Sequence, residues 1–165
     1  MTHYPLLFGF RDLVAGRGFL AGVAVNGRSL LVHDDEIGYW MHGVNPGGLS
    51  AGGVDSGAAQ QAFRETYRTI LFDISASVGD FEEFKVEVTR FFHQTSDLLL
   101  AEWIEAVEAV REGRVQLEGL TRVKSDRGKL SIDITPLSID QLEPTVNAAD
   151  EEPHLADEEP YLEAA

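Results

Sequence analysis

The chain has no cysteine among its 165 residues. This absence excludes disulfide bonds, thiolate zinc sites and a cysteine nucleophile. No apolar run approaches the roughly 20 residues that cross a bilayer. The N-terminal segment MTHYPLLFGFRDL has no basic leader ahead of its apolar residues, so we expect no cleaved secretion signal. The sequence therefore predicts a cytoplasmic protein without a membrane association.

Basic residues are also scarce. The chain has 13 Lys and Arg against 28 Asp and Glu, a formal net charge of −15. Residues 136–165 contain nine acids and no Lys or Arg, which leaves the preceding residues a net charge of −6. An acidic surface repels the phosphate backbone that dominates nucleic-acid affinity, so direct nucleic-acid binding is disfavoured. We expect one domain at residues 1–135 and an acidic, disordered tail at residues 136–165.

The first third of the chain has the composition of a sheet. Asn26-Gly27 separates two apolar runs and is typical of a two-residue hairpin turn. Asp34, Asp35 and Glu36 form a polar turn ahead of a Gly-Tyr-Trp segment. We predict strands at Leu6–Phe10, Phe19–Val25, Ser29–His33 and Gly38–Val44, with a further short strand at Leu49–Gly52.

The middle of the chain predicts amphipathic helices. Asp55 or Ser56 caps the first, which ends near Gly79. Asp80 caps the second, with Glu83 at the capping-box position. The third begins after Thr95 or Ser96 and ends at Gly113. The pattern leaves open whether the second and third helices are one kinked helix.

Two strands at 115–124 and 129–135 are expected to form a C-terminal β-hairpin, since Ser125-Asp126-Arg127-Gly128 lies between them. The predicted fold class is therefore α+β. It combines a small antiparallel or mixed sheet, a β-β-(β)-α unit, two further helices, the hairpin and the acidic tail.

Residues 28–71 carry a recognisable order of motifs. SLLVHDDE is followed by GYWMHGV, then by Pro46-Gly47, Leu49-Ser50, Gly52 and Ala58-Ala59. This order resembles the HicB-type antitoxin family, whose fold is a partially degraded ribonuclease-H-like domain. The resemblance covers about a quarter of the chain. It implies a non-enzymatic protein that neutralises a small basic ribonuclease toxin by protein–protein contact.

The chain departs from the family in two respects. Ser56-Gly57 stands where family members usually open the helix with acidic residues, and the usual C-terminal DNA-binding module is missing. The tail in its place is acidic. The resemblance therefore implies binding to a protein without implying binding to an operator.

The resemblance and the charge together define a candidate partner-binding site. We expect the contacts at Asp34, Asp35, Glu36, Tyr39, Trp40 and His42, with a small basic protein as the partner. No catalytic residue, metal ligand or cofactor is predicted. The apolar helices exceed what one small sheet covers, so we also expect a homo-oligomer.

Two kinds of alternative remain open from the sequence, a metal-binding protein and an adaptor. Asp34, Asp35 and Asp55 could hold Mg²⁺ in a divergent ribonuclease-H-like nuclease, and His33 and His42 on neighbouring strands could bind a metal. Adjacent carboxylates on a turn diverge, however, and two imidazoles fall short of a metal site. The other alternative is a homo-oligomeric adaptor that recruits a partner through its acidic tail.

Overall fold

The computed structural model describes residues 1–116, 121–122, 129–138 and 163–164. These residues form the expected α+β fold, a mostly antiparallel sheet with helices on both faces. The strands are β1 (Thr2–Gly16), β2 (Phe19–Asp34), β3 (Gly38–Asn45), β4 (Gly47–Gly53), β5 (Thr121–Arg122), β6 (Ser131–Leu137) and β7 (Glu163–Ala164). The helices are α1 (Ser56–Ser77), α2 (Phe81–Phe92) and α3 (Asp97–Arg111).

A long antiparallel hairpin organises the sheet. β1 pairs with β2 from Thr2↔His33 to Gly16↔Phe19 without a register shift. Gly18 has φ +72° in the turn, a conformation that favours glycine. The predicted hairpin turn at Asn26-Gly27 is therefore wrong, because both residues lie inside β2.

Gly27 is required inside β2 because neighbouring strands of the same chain approach it closely. A Cβ at this position would lie 2.4 Å from the carbonyl oxygen of Asn45 and 2.5 Å from the ring of Phe8. Asn26 donates a hydrogen bond from Nδ2 to Oγ of Ser131 (2.8 Å). Tertiary contacts, rather than a turn, therefore account for this Asn-Gly pair.

Two strands, β3 and β6, pair one after the other along the side of β2 that faces away from β1. β3 pairs with residues 28–34 of β2, and β6 pairs with residues 20–26. β4 pairs with β3 and lies at one end of the strand order, which runs β4-β3-β2-β1-β7-β5. The predicted strands at Gly38–Val44 and Leu49–Gly52 are thus confirmed as β3 and β4.

The C-terminal predictions fall mostly outside the described residues. β6 contains most of the predicted strand 129–135 and pairs with β2. Its expected hairpin partner, residues 115–124, is described only in part. The acidic tail also lies outside the described residues, except for 136–138 and the backbone of β7, which pairs with Leu6 and Leu7 of β1.

One face of the sheet packs against α1 and α2. Alternate residues of β1 point to this face, including Leu6, Phe8 and Phe10. The buried residues of α1 recur every four positions and form one stripe along the helix: Ala59, Phe63, Tyr67, Leu71 and Ser75. The main apolar core lies between this stripe, α2 and the sheet.

The other face packs against α3. Leu30, Val32 and Val44 form a second buried cluster with Ala106, and Trp103 packs against it. The guanidinium of Arg28 lies 5.0 Å from the centre of the Trp103 ring. Across the described part of the chain, no helix is both long and apolar enough to span a membrane.

The helix boundaries follow the predicted capping residues. The carboxylate of Asp55 accepts a hydrogen bond from the N–H of Ala58 (2.7 Å), and that of Asp80 accepts one from Glu83 (2.9 Å). Ser96 caps α3, and Gly113 has φ +74° just beyond its end. The loop at residues 93–96 separates α2 from α3, so the chain has two helices here rather than one kinked helix.

Candidate partner-binding surface

Four strand ends meet at one end of the sheet. The register places the start of β1 beside the end of β2, the start of β3 beside the end of β2, and the start of β3 beside the end of β4. Residues 34–38, Met1 and Val54 therefore lie together. We call this group the tip of the sheet.

The turn at the tip is held by Asp34. Its carboxylate accepts hydrogen bonds from the N–H groups of Glu36 (2.8 Å) and Ile37 (3.2 Å). These bonds favour the charged form and lower the pKa of Asp34 below its ordinary value. Asp34 thus stabilises the turn by its own local chemistry.

Asp35 and Glu36 extend from this turn into solvent. The Asp35 carboxylate lies 3.9 Å from Nε2 of His33, at the outer limit of an ion pair. Because no other ion pair within the described ranges holds the side chains of these two acids, their charges are available to a binding partner. The tip therefore presents a negative surface whose backbone is fixed by Asp34.

Large exposed apolar side chains lie along the same end of the sheet as these acids. Val54 is 90% exposed, Met1 80% and Ile37 63%. Single exposed apolar residues are normal on a protein surface, but a group of them at one place is typical of an interaction site. The tip combines such a group with three carboxylates, whose negative charge exceeds the single positive charge of the nearby Met1 ammonium.

Aromatic rings extend the tip along the face that carries α1. The rings of Tyr39 and His33 stack with centroids 4.2 Å apart and an interplanar angle of 20°. Tyr4 and Tyr39 both pack at the border of the main core. Burial raises the pKa of Tyr4, and the neighbouring Tyr39 adds to the effect.

A second aromatic pair lies on the opposite face. Trp40 and His42 are two residues apart on β3, so both point to the side of α3. Their rings are nearly parallel, with centroids 6.4 Å apart, and Trp40 remains 39% exposed. Burial lowers the pKa of His42; Glu102 of α3 opposes this shift, whereas His3 of β1 adds to it.

The structure thus divides the six predicted site residues into three groups. Asp34, Asp35 and Glu36 lie together at the tip. Tyr39 lies on one face of the sheet, whereas Trp40 and His42 lie on the other, because successive strand residues alternate. One flat partner surface can contact the tip and one of these faces, but not both faces together.

The carboxylates proposed for a metal site do not converge. Asp34 accepts two hydrogen bonds from its own turn, and Asp55 caps α1. His33 and His42 point to opposite faces of the sheet. Among the residues that the structure describes, no three His, Cys, Asp or Glu side chains form a group suited to a metal ion.

The sequence prediction omitted the apolar part of the tip. Ile37 and Val54 are 17 positions apart, and only the pairing of β4 with β3 brings them to the same end of the sheet. Ile37 carried a local signal, since an isoleucine in a turn of acids is unusual. Val54 carried none.

Comparison with known proteins yields no matching family model, no matching curated relative and no matching solved structure.

Proposed function

We propose that this chain is a non-enzymatic binding protein that uses the tip to bind a small basic protein. The observation that carries the proposal is the combination of exposed carboxylates with exposed apolar side chains at one end of the sheet. Asp35 and Glu36 supply charge, whereas Ile37 and Val54 supply apolar area. Interfaces with an apolar centre and a polar rim have this composition.

The charge of the chain agrees with this choice of partner. Its formal net charge of −15 attracts a basic protein and repels a nucleic acid. Such long-range attraction mainly accelerates association, while the apolar contacts set how slowly the complex dissociates. We therefore do not propose direct nucleic-acid binding.

The resemblance to HicB-type antitoxins narrows the partner further. We propose that the partner is a small ribonuclease toxin whose nucleic-acid-binding surface is covered in the complex. A surface that binds RNA phosphates is basic, so the carboxylates of the tip can replace the phosphates. The proposal includes a cytoplasmic location, in agreement with the absence of cysteine, and a homo-oligomeric state.

The test uses the product of the adjacent reading frame, which we expect to be a small basic protein. The two proteins are co-expressed and applied to a sizing column. We expect them to elute as one complex and the chain to relieve any growth arrest that the basic protein causes. Separate elution at micromolar concentrations, together with an unrelieved arrest, would refute the proposed function.

A further inference from the structure

Strand β4 ends the sheet with a free edge. It lies last in the strand order, and no residue of the described ranges pairs with its outer side. At one end of the strand, the N–H of Gly47 donates to the carbonyl of Gln94 in the α2–α3 loop (2.6 Å). Gly48 has φ +81° beside a register shift. The regular free edge is therefore Leu49–Gly53.

This edge lacks the features with which proteins prevent edge pairing. Leu49–Gly53 has the sequence LSAGG, with no charged residue and no proline. Charges, prolines and bulges are the usual protection of an edge strand, and here a bulge occurs only at the Gly48 end. The edge is thus open to an added strand.

The edge is also held in place on both faces. On one face, a Cβ at Gly53 would lie 2.3 Å from the backbone nitrogen of Ala59, so α1 packs directly on the strand. On the other face, the Trp40 indole covers Gly52, where a Cβ would lie 2.9 Å from the ring. A strand already fixed in this way loses little conformational freedom when it pairs.

We propose that the edge binds a second copy of the chain, with the two β4 strands antiparallel and Ala51 facing Ala51 on a two-fold axis. This inference specifies the homo-oligomer of the proposed function. The side chains of the edge are self-complementary in this register. Leu49 faces a glycine (Gly53), Ser50 faces a glycine (Gly52), and the alanines face each other.

The charges favour the antiparallel arrangement. A parallel pair would place the two acidic tips side by side, since the tip adjoins the Gly53 end of β4. In the antiparallel pair the tips are separated by about 14 Å along the strands, which exceeds a screening length of about 8–10 Å. Each tip instead approaches the partner copy's loop at residues 93–96, which contains no acid.

The edge carries no charge, and for this reason we propose a second copy of the chain, rather than a basic strand, as its binding partner. Leu49–Gly53 carries no charge that would select a basic strand, whereas its size pattern matches its own reverse. The edge is short, so its interface belongs to the small class. We expect a reversible dimer with a dissociation constant on the order of 10 µM.

Sedimentation equilibrium of the full chain, from about 1 to 500 µM, measures this dimer. Ser50→Glu places two carboxylates within about 8 Å across the two-fold axis and next to the Trp40 rings. We expect the dissociation constant to rise at least tenfold. Ser77→Glu adds the same charge at an exposed position near the end of α1. It should dimerise as the wild type does.

Amide hydrogen exchange supplies a second readout that does not depend on the variant. Raising the wild-type concentration through the dimer range should slow exchange at residues 49–53. A wild-type chain that stays at 18.1 kDa throughout overturns the inference. A dimer that Ser50→Glu does not weaken also overturns the inference, as does a dimer in which amide exchange at residues 49–53 is not slowed. Slower exchange at these residues only in the presence of the basic partner would overturn it too and assign the edge to that partner. Binding of the partner by monomeric Ser50→Glu would leave the proposed function standing.

Discussion

Tyr67 gives the sharpest test of the packing. Its side chain is 0% exposed between the sheet and α2, and none of the described residues supplies a hydrogen-bond partner to its buried hydroxyl. The ring is well held, with edge contacts to Phe10 (4.7 Å between centroids) and Phe8 (6.4 Å) and a stacked contact to Phe91 (6.0 Å). The ring contacts therefore stabilise the fold, whereas the buried hydroxyl opposes it.

Tyr67→Phe removes that hydroxyl and keeps every ring contact. An unsatisfied buried polar group lowers stability by about 1–3 kcal/mol. Removing the oxygen atom leaves a small cavity, which offsets part of the stability gained. We expect the free energy of unfolding to rise by about 1 kcal/mol, which corresponds to a melting temperature about 2–4 °C higher for a chain of this size.

Alkaline pH should enlarge the difference between the two proteins. Burial raises the pKa of Tyr67 far above its ordinary value of 10.0, so the folded protein retains the proton that the unfolded chain releases. Tyr67 therefore lowers stability progressively as the pH rises above about 10. Tyr67→Phe should remove this loss.

Urea unfolding followed by far-ultraviolet circular dichroism, at pH 7.5 and at pH 10.5, measures both effects. Tyr4→Phe is the matched control, since Tyr4 is only partly buried and has a hydrogen bond with Thr2. It should be neutral or slightly destabilising at pH 7.5. A loss of 1 kcal/mol or more in Tyr67→Phe would mean that the hydroxyl is hydrogen-bonded in solution, and would refute the packing described here.

Two further predictions concern pH and backbone contact. Burial lowers the pKa of His42 below 6.5, so the unfolded chain binds the proton more readily and stability should fall as the pH drops below about 6.5. His42→Gln should reduce the loss in the free energy of unfolding between pH 7.5 and 5.5, measured by urea unfolding. An unchanged loss would mean that other titrating groups cause it. Gly53→Ala should destabilise by about 1–3 kcal/mol because its Cβ meets the backbone of α1. Gly57→Ala, with its nearest atom at 3.4 Å in the first helical turn, should be neutral or stabilising by about 0.5 kcal/mol, and equal losses in both would contradict this reasoning.

Elements that depend on local chemistry were predictable from the sequence. The cap at Asp80 is confirmed, and Asp55 and Ser96 are each one of the two candidates that the sequence offered, because a side-chain oxygen and nearby backbone N–H groups decide a cap. The bounds of β3 differ from the prediction by one residue. The amphipathic character of α1 also follows from the spacing of its apolar residues, although the buried Ser75 at the end of the stripe does not.

Elements that depend on distant contacts were not predictable. Asn26-Gly27 has the composition of a turn, but Asn45, Phe8 and Ser131 approach it from other strands. Sequence patterns carry no information on which strand lies beside another. The pairing of β6 with β2 was missed for the same reason.

The candidate site also contains one part that the sequence predicts and another part that depends on distant contacts. The acidic turn was evident from three consecutive acids, and the alternation of β3 already implied that Tyr39 and Trp40 point to opposite faces. Val54 joined the site only through the register of β4. The apolar half of the tip could therefore be identified only from the tertiary structure.

The most direct test of the tip is the affinity of the chain for its proposed partner, the small basic protein that we expect the adjacent reading frame to encode. Asp35→Lys with Glu36→Lys reverses two exposed charges and leaves Asp34 to hold the turn. Glu105→Lys with Glu108→Lys makes the same charge change on the exposed side of α3. By isothermal titration calorimetry, we expect the first double variant to bind about tenfold more weakly or worse, and the second to bind within about threefold of the wild type. Equal losses in both, or none in either, would contradict the claim that the tip binds the partner.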